Sequence, residues 1–68
     1  MTATQQIALQ RRIETLRAES FALVDELVAA SGDHTQLTSA ALVQIQDAAN
    51  KLGTAYMLLG AVPTPARV

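Results

Sequence analysis

Ala29-Ala30-Ser31-Gly32-Asp33-His34-Thr35-Gln36 divides the chain into two long stretches, and that division decides the architecture. Upstream, Leu9, Ile13, Leu16, Ser20, Leu23, Leu27 and Ala30 recur at alternating steps of four and three. Downstream, Ala41, Ile45, Ala48, Leu52, Ala55, Leu59 and Val62 do the same. Such a register holds one side of an α-helix against a partner at a shallow crossing angle. Ser31-Gly32-Asp33-His34 is long enough only for a helix–helix connection. The sequence therefore predicts an all-α fold, a two-helix antiparallel hairpin spanning residues 1–62.

The ends of the helices carry their own signals. Ile7 to Ala30 contains neither Gly nor Pro and is rich in helix formers, so helix 1 is expected over about residues 4–30, with Thr4 or Thr2 as N-cap. Gly32 suits the left-handed position that ends such a helix. Asp33 followed three residues later by Gln36 reads as a capping box for helix 2, with Thr35 and Thr38 as alternative caps. Helix 2 is expected over about residues 35–61. Pro63 and Pro65 forbid its continuation and leave residues 63–68 as an extended tail.

The apolar surface is wider than one seam requires. Phe21, Val24 and Val28 extend it on helix 1, and Leu42, Ala49 and Tyr56 form a second row on helix 2. Val43, Met57 and Leu58 project well away from the side carrying Ile45, Leu52 and Leu59. With 68 residues, no cysteine and no cluster of metal-ligating side chains, the chain has few ways to stabilise a small core. Self-association is the one left open. Phe21, Val24, Val28, Val43, Met57 and Leu58 are the expected oligomer interface, and a four-helix-bundle dimer is the smallest expected species. Gly53 in mid-helix should cost about 1 kcal/mol relative to Ala, so another backbone or a ligand is expected to come close there.

Composition narrows the function by exclusion. A net charge of −1 gives no global attraction to nucleic acid or to an anionic membrane. No apolar run approaches the ~20 residues that span a bilayer, and nothing reads as a signal peptide, so a cytoplasmic protein is expected. The one histidine, His34, sits in the turn without a nucleophile to partner it, and the three glycines are too scattered to cradle a phosphate. No catalytic residue, cofactor or metal is expected.

The cations are more informative. Folding the hairpin about residues 33–34 places position i of helix 1 opposite roughly 67 − i. Arg17 then faces the neighbourhood of Lys51, while Arg11 and Arg12 face Ala55 and Tyr56. Four of the five basic residues thus gather in the open half of the hairpin beside one of the two aromatic rings. Guanidinium forks and an aromatic plate are what a phosphate-bearing ring compound requires. The plainer alternative is a solvated face on which Glu14, Glu19 and Asp47 pair with these cations.

Ile13-Glu14-Thr15-Leu16-Arg17-Ala18-Glu19-Ser20-Phe21-Ala22-Leu23-Val24-Asp25-Glu26-Leu27, the Ser31-Gly32-Asp33 turn and Leu52-Gly53-Thr54-Ala55-Tyr56-Met57-Leu58-Leu59 add a resemblance. Together they resemble the short α-hairpin family of phage anti-defence proteins, the anti-CBASS and anti-Thoeris sponges. In that family helix 1 carries an Arg near its start, and helix 2 ends in a Leu-x-x-Ala-x-Met-Trp-like pattern. Here Gly53-Thr54 replaces the family's acidic pair and Leu58 its Trp. The resemblance implies dimers or hexamers that sequester cyclic nucleotide signals without cleaving them, and it assigns a ligand role to Arg17. Arg11, Arg12, Lys51 and Tyr56 join Arg17 on the charge argument alone. The competing expectation is an oligomeric interaction or regulatory adaptor with no small-molecule ligand. Nucleic acid is a weaker candidate, with only five basic residues available.

Overall fold

A computed structural model describes residues 1–32 and 36–63. Two helices, α1 (Ala3–Ser31) and α2 (Gln36–Gly60), account for nearly all of them. No strand occurs among the described residues. Each helix runs within a residue of its expected bounds. Of the two proposed N-caps for α1, the structure selects Thr2. Its hydroxyl accepts from the Gln5 backbone N–H at 3.1 Å, and the Gln5 side chain accepts from the Thr2 N–H at 2.8 Å. This reciprocal pair satisfies two donors at the helix start.

Gly32 ends α1 with φ +61° and ψ −104°. The positive φ was expected; the ψ departs from the ordinary left-handed well and is comfortable only for glycine. Thr38 lies inside α2, beyond its first turn's start, and so does not cap it. Asp33 and Thr35, the other candidate caps, lie outside the described residues, as do His34 and residues 64–68 of the expected tail.

The helices run antiparallel. The Gln6 amide donates to the carbonyls of Leu59 (2.6 Å) and Val62 (2.9 Å), and the Gln10 amide donates to that of Tyr56 (3.2 Å). These pairs bring the start of α1 to the end of α2, close to the expected pairing rule. They add donors to the Tyr56 and Leu59 carbonyls in the last turns of α2 and to the Val62 carbonyl just beyond it; that of Leu59 also accepts from the Val62 N–H at 3.1 Å.

The seam is where the structure corrects the sequence reading. The half-buried and buried residues of α1 are Gln6, Gln10, Ile13, Arg17, Ser20, Val24, Leu27 and Ser31. On α2 the regular set is Thr38, Leu42, Ile45, Ala49, Leu52, Tyr56 and Leu59. Both keep the four-three alternation, but each helix is rotated by one row. The row Ile13/Ser20/Leu27 and its counterpart Ile45/Leu52/Leu59 face the partner as expected. The second expected row of α1 does not: Leu9, Leu16 and Leu23 remain 47%, 45% and 47% exposed. Gln10, Arg17, Val24 and Ser31 take its place. On α2, Leu42, Ala49 and Tyr56 displace Ala41, Ala48 and Val62, which are exposed.

Only Val24, at 9% exposure, and Ala49, at 0%, are buried among the described residues. Val24, expected at an interface between chains, belongs instead to the hairpin's own core. The one polar residue of the shared α1 row is satisfied locally, because the Ser20 hydroxyl donates to the Leu16 carbonyl at 2.8 Å. A single row of contacts between two helices leaves most apolar side chains in water.

Candidate functional site

Arg17 is the side chain on which the expected site turns, and its position follows from the rotated seam. Lying in an inner row, its aliphatic stem must pass across α2 to bring the guanidinium to water. Gly53 gives it room. A Cβ at that position would stand 3.2 Å from Arg17 Nε and 3.7 Å from its Cδ. The close approach expected at Gly53 is thus made by a side chain of the same chain, and not by a second backbone. Gly60, one heptad further on, lies against the other long polar residue of this row. A Cβ there would come within 2.7 Å of Gln10 Nε2. Two glycines spaced seven apart therefore form a trough under Gln10 and Arg17.

The guanidinium of Arg17 emerges beside residues of its own helix. Its carbon lies 5.4 Å from the centre of the Phe21 ring, within range of a cation–π attraction. Its nearest carboxylate oxygen, on Glu14, is 3.9 Å away, at the outer limit of an ion pair, with both side chains nearly half exposed. An exposed pair of that length contributes little. Arg17 Nε is buried and has no hydrogen-bond partner. An unpaired N–H removed from water has a cost, and contact with Gly53 and Phe21 is what holds the group there.

The other expected ligand residues are not gathered around it. Tyr56 is half-buried in the seam, and its carbonyl is occupied by Gln10. Lys51 lies on the outer side of α2, where its ammonium meets Asp47 at 2.9 Å one turn away. The hydrogen bond and charge of that carboxylate raise the Lys51 pKa above its usual value. This is the arrangement anticipated for a solvated face. Arg11 and Arg12 are exposed and fall on opposite outer flanks of α1, since neighbouring residues point about 100° apart. Of the five cations-and-ring residues proposed, the fold brings only Arg17 and Tyr56 into the seam. Phe21, placed in the expected interface set, is the ring that Arg17 meets.

Sequence spacing held a clue to this geometry that hydropathy hid. Gly53 and Gly60 fall seven residues apart, as Gln10 and Arg17 do, each three residues past the level that the pairing rule gives, and such a match marks where long side chains cross. Among the described residues, no group of His, Asp or Glu side chains is placed to hold a metal ion. No described helix is long and apolar enough to cross a membrane. Comparison with protein-family models, with curated proteins and with solved structures finds no match. What similarity there is to the anti-defence hairpins therefore rests on the residues quoted for it.

Proposed function

We propose that this chain acts by binding and not by catalysis, as a self-associating hairpin that sequesters a small anionic cyclic nucleotide, a cyclic oligonucleotide or a cyclic ADP-ribose isomer. The observation that carries this reading is the state of Arg17. Its guanidinium stands beside the Phe21 ring, its side chain is 40% exposed, and its nearest carboxylate oxygen, on Glu14, is only at the limit of an ion pair. A phosphate oxygen is the acceptor that such a fork takes in two-pronged fashion. The reading places the protein in a host cytoplasm, as a dimer or a larger assembly such as a hexamer, as the resemblance to the anti-defence sponges implies.

A second reading, an oligomeric interaction or regulatory module without a ligand, is favoured by the unbroken row of exposed leucines on α1. A thermal-shift screen against cyclic dinucleotides, cyclic trinucleotides and cyclic ADP-ribose isomers separates the two. A ligand at one hundred times its Kd stabilises the fold by about 2.7 kcal/mol, which is readily seen in so small a protein. Arg17→Ala is expected to lower affinity about tenfold to a hundredfold, the usual effect of removing a charged hydrogen-bonding partner. The nucleotide should be recovered intact from the complex. No shift with any of these compounds would leave the interaction module.

A further inference from the structure

The rotated seam leaves each hairpin with two unlike flanks. In an antiparallel pair, rows that stand one residue before the inner row on each helix share a face. On one face lie Leu9, Leu16, Leu23 and Ala30 of α1 beside Ala41, Ala48, Ala55 and Val62 of α2. Every one of the eight is apolar. On the other face lie Ile7, Glu14, Phe21 and Val28 beside Ser39, Gln46, Gly53 and Gly60, interrupted by a charge and crossed by Arg17.

We infer that the leucine-alanine face is the surface on which a second copy of this chain docks, with the two-fold axis along the length of the hairpin. This deepens the assembly part of the reading above and does not depend on any ligand. Two observations select a second copy. The first is area. The chain exposes 5223 Å2, whereas a compact protein of 7.2 kDa exposes about 4,100 Å2 by the usual scaling of surface with mass. A standard interface of about 800 Å2 per partner would remove most of this excess of about 1,100 Å2.

The second observation is shape. Leucines make a ridge on α1, and alanines make a trough on α2. Rotation by 180° about an axis along the hairpin sets the ridge of each copy over the trough of the other, both contacts being made at once. Rotation about the perpendicular axis in the same plane sets ridge on ridge and trough on trough. A face that fits itself by a two-fold is the signature of an isologous dimer. The four-three register visible in the sequence is then the register between chains as much as within one. The shared Ile13/Ser20/Leu27 row is the hinge between the two seams.

The chain has no cysteine, so single cysteines report the docking directly. Leu16→Cys and Ala48→Cys chains are prepared separately, mixed by unfolding and refolding together, and oxidised without nucleotide. The expected result is a disulfide-linked pair, with twice the chain mass, from the mixture and from neither variant alone. The mixture of Val28→Cys with Ser39→Cys, which stand level on the other face, is expected to stay unlinked. The unsubstituted protein is expected to sediment at twice its 7.2 kDa. A folded monomer, or linkage through residues 28 and 39 in place of 16 and 48, would overturn the inference. Failure of every nucleotide to bind would leave it untouched.

Discussion

Replacing Gly53 with alanine tests whether Arg17 lies where the structure puts it. In an ordinary exposed helix interior, Gly→Ala stabilises by about 1 kcal/mol, because alanine loses less backbone entropy on folding. Here the new Cβ would stand 3.2 Å from Arg17 Nε, closer than such contacts normally come. The Arg17 side chain is 40% exposed, so it can swing out without moving either backbone. Doing so forfeits the contact with Phe21, about 0.5–1 kcal/mol at a half-exposed site. The net change in the parent protein should therefore be small, between zero and about 0.5 kcal/mol of stabilisation.

In an Arg17→Ala background nothing opposes the methyl, and Gly53→Ala should stabilise by the full amount of about 1 kcal/mol. The coupling between the two sites is then about 0.5–1 kcal/mol, above the ~0.3–0.5 kcal/mol within which distant sites add. Urea unfolding followed by circular dichroism measures it. With a slope near 1 kcal/mol per molar, expected for so small a chain, Gly53→Ala should move the midpoint by about 1 M in the Arg17→Ala background. It should move it by less than half of that in the parent. All four proteins must be compared at one concentration, because association adds to apparent stability. Equal shifts in both backgrounds would mean that Arg17 does not cross α2 at Gly53.

Two further outcomes follow from the hydrogen bonds and charges at the helix ends and flanks. Gln6→Ala removes both donors from the Leu59 and Val62 carbonyls and should destabilise the fold by about 1–2 kcal/mol. Hydrogen exchange should accelerate most at the last turn of α2; acceleration spread evenly along the chain would contradict a local cap. The Lys51–Asp47 pair should contribute almost nothing, being fully in water. Because the Lys51 pKa is raised on folding, whatever it does contribute is present at neutral pH and is lost as pH rises through that raised value. Titration of the Lys51 ammonium by nuclear magnetic resonance should show a midpoint above 10.5 that Asp47→Asn returns to 10.5. A midpoint unchanged by that substitution would show that the carboxylate is not its partner.

Much of the hairpin is determined by the sequence alone. The absence of Gly and Pro from Ile7 to Ala30, Gly32 at the turn and Pro63 beyond the second helix set two helices of nearly the observed length. The brevity of the turn made them antiparallel and fixed which residues stand level with which. Candidate site residues were legible only where an inner row could be recognised. Arg17 stood out because a charge fell inside an apolar sector, whereas Lys51, Arg11 and Arg12 were grouped by height along the hairpin, which says nothing of the side on which each emerges.

The choice of seam was left to the tertiary structure. Each helix carries three adjacent rows able to face a partner, and the sequence pattern favours the most apolar two: Leu9/Leu16/Leu23 with Ile13/Ser20/Leu27, and Ala41/Ala48/Ala55 with Ile45/Leu52/Leu59. The hairpin keeps the Ile13 and Ile45 rows but completes its seam with Gln10/Arg17/Val24 and Leu42/Ala49/Tyr56 in place of the others. That choice lets Gln6 and Gln10 reach the carbonyls at the end of α2, and lets Arg17 cross at Gly53. Partners of this kind come from the opposite helix, about fifty residues away, so no window of hydropathy contains them. The leucines left outside can still be buried by another chain, whereas the contacts of Gln6, Gln10 and Arg17 with α2 are made only on the seam that the hairpin adopts.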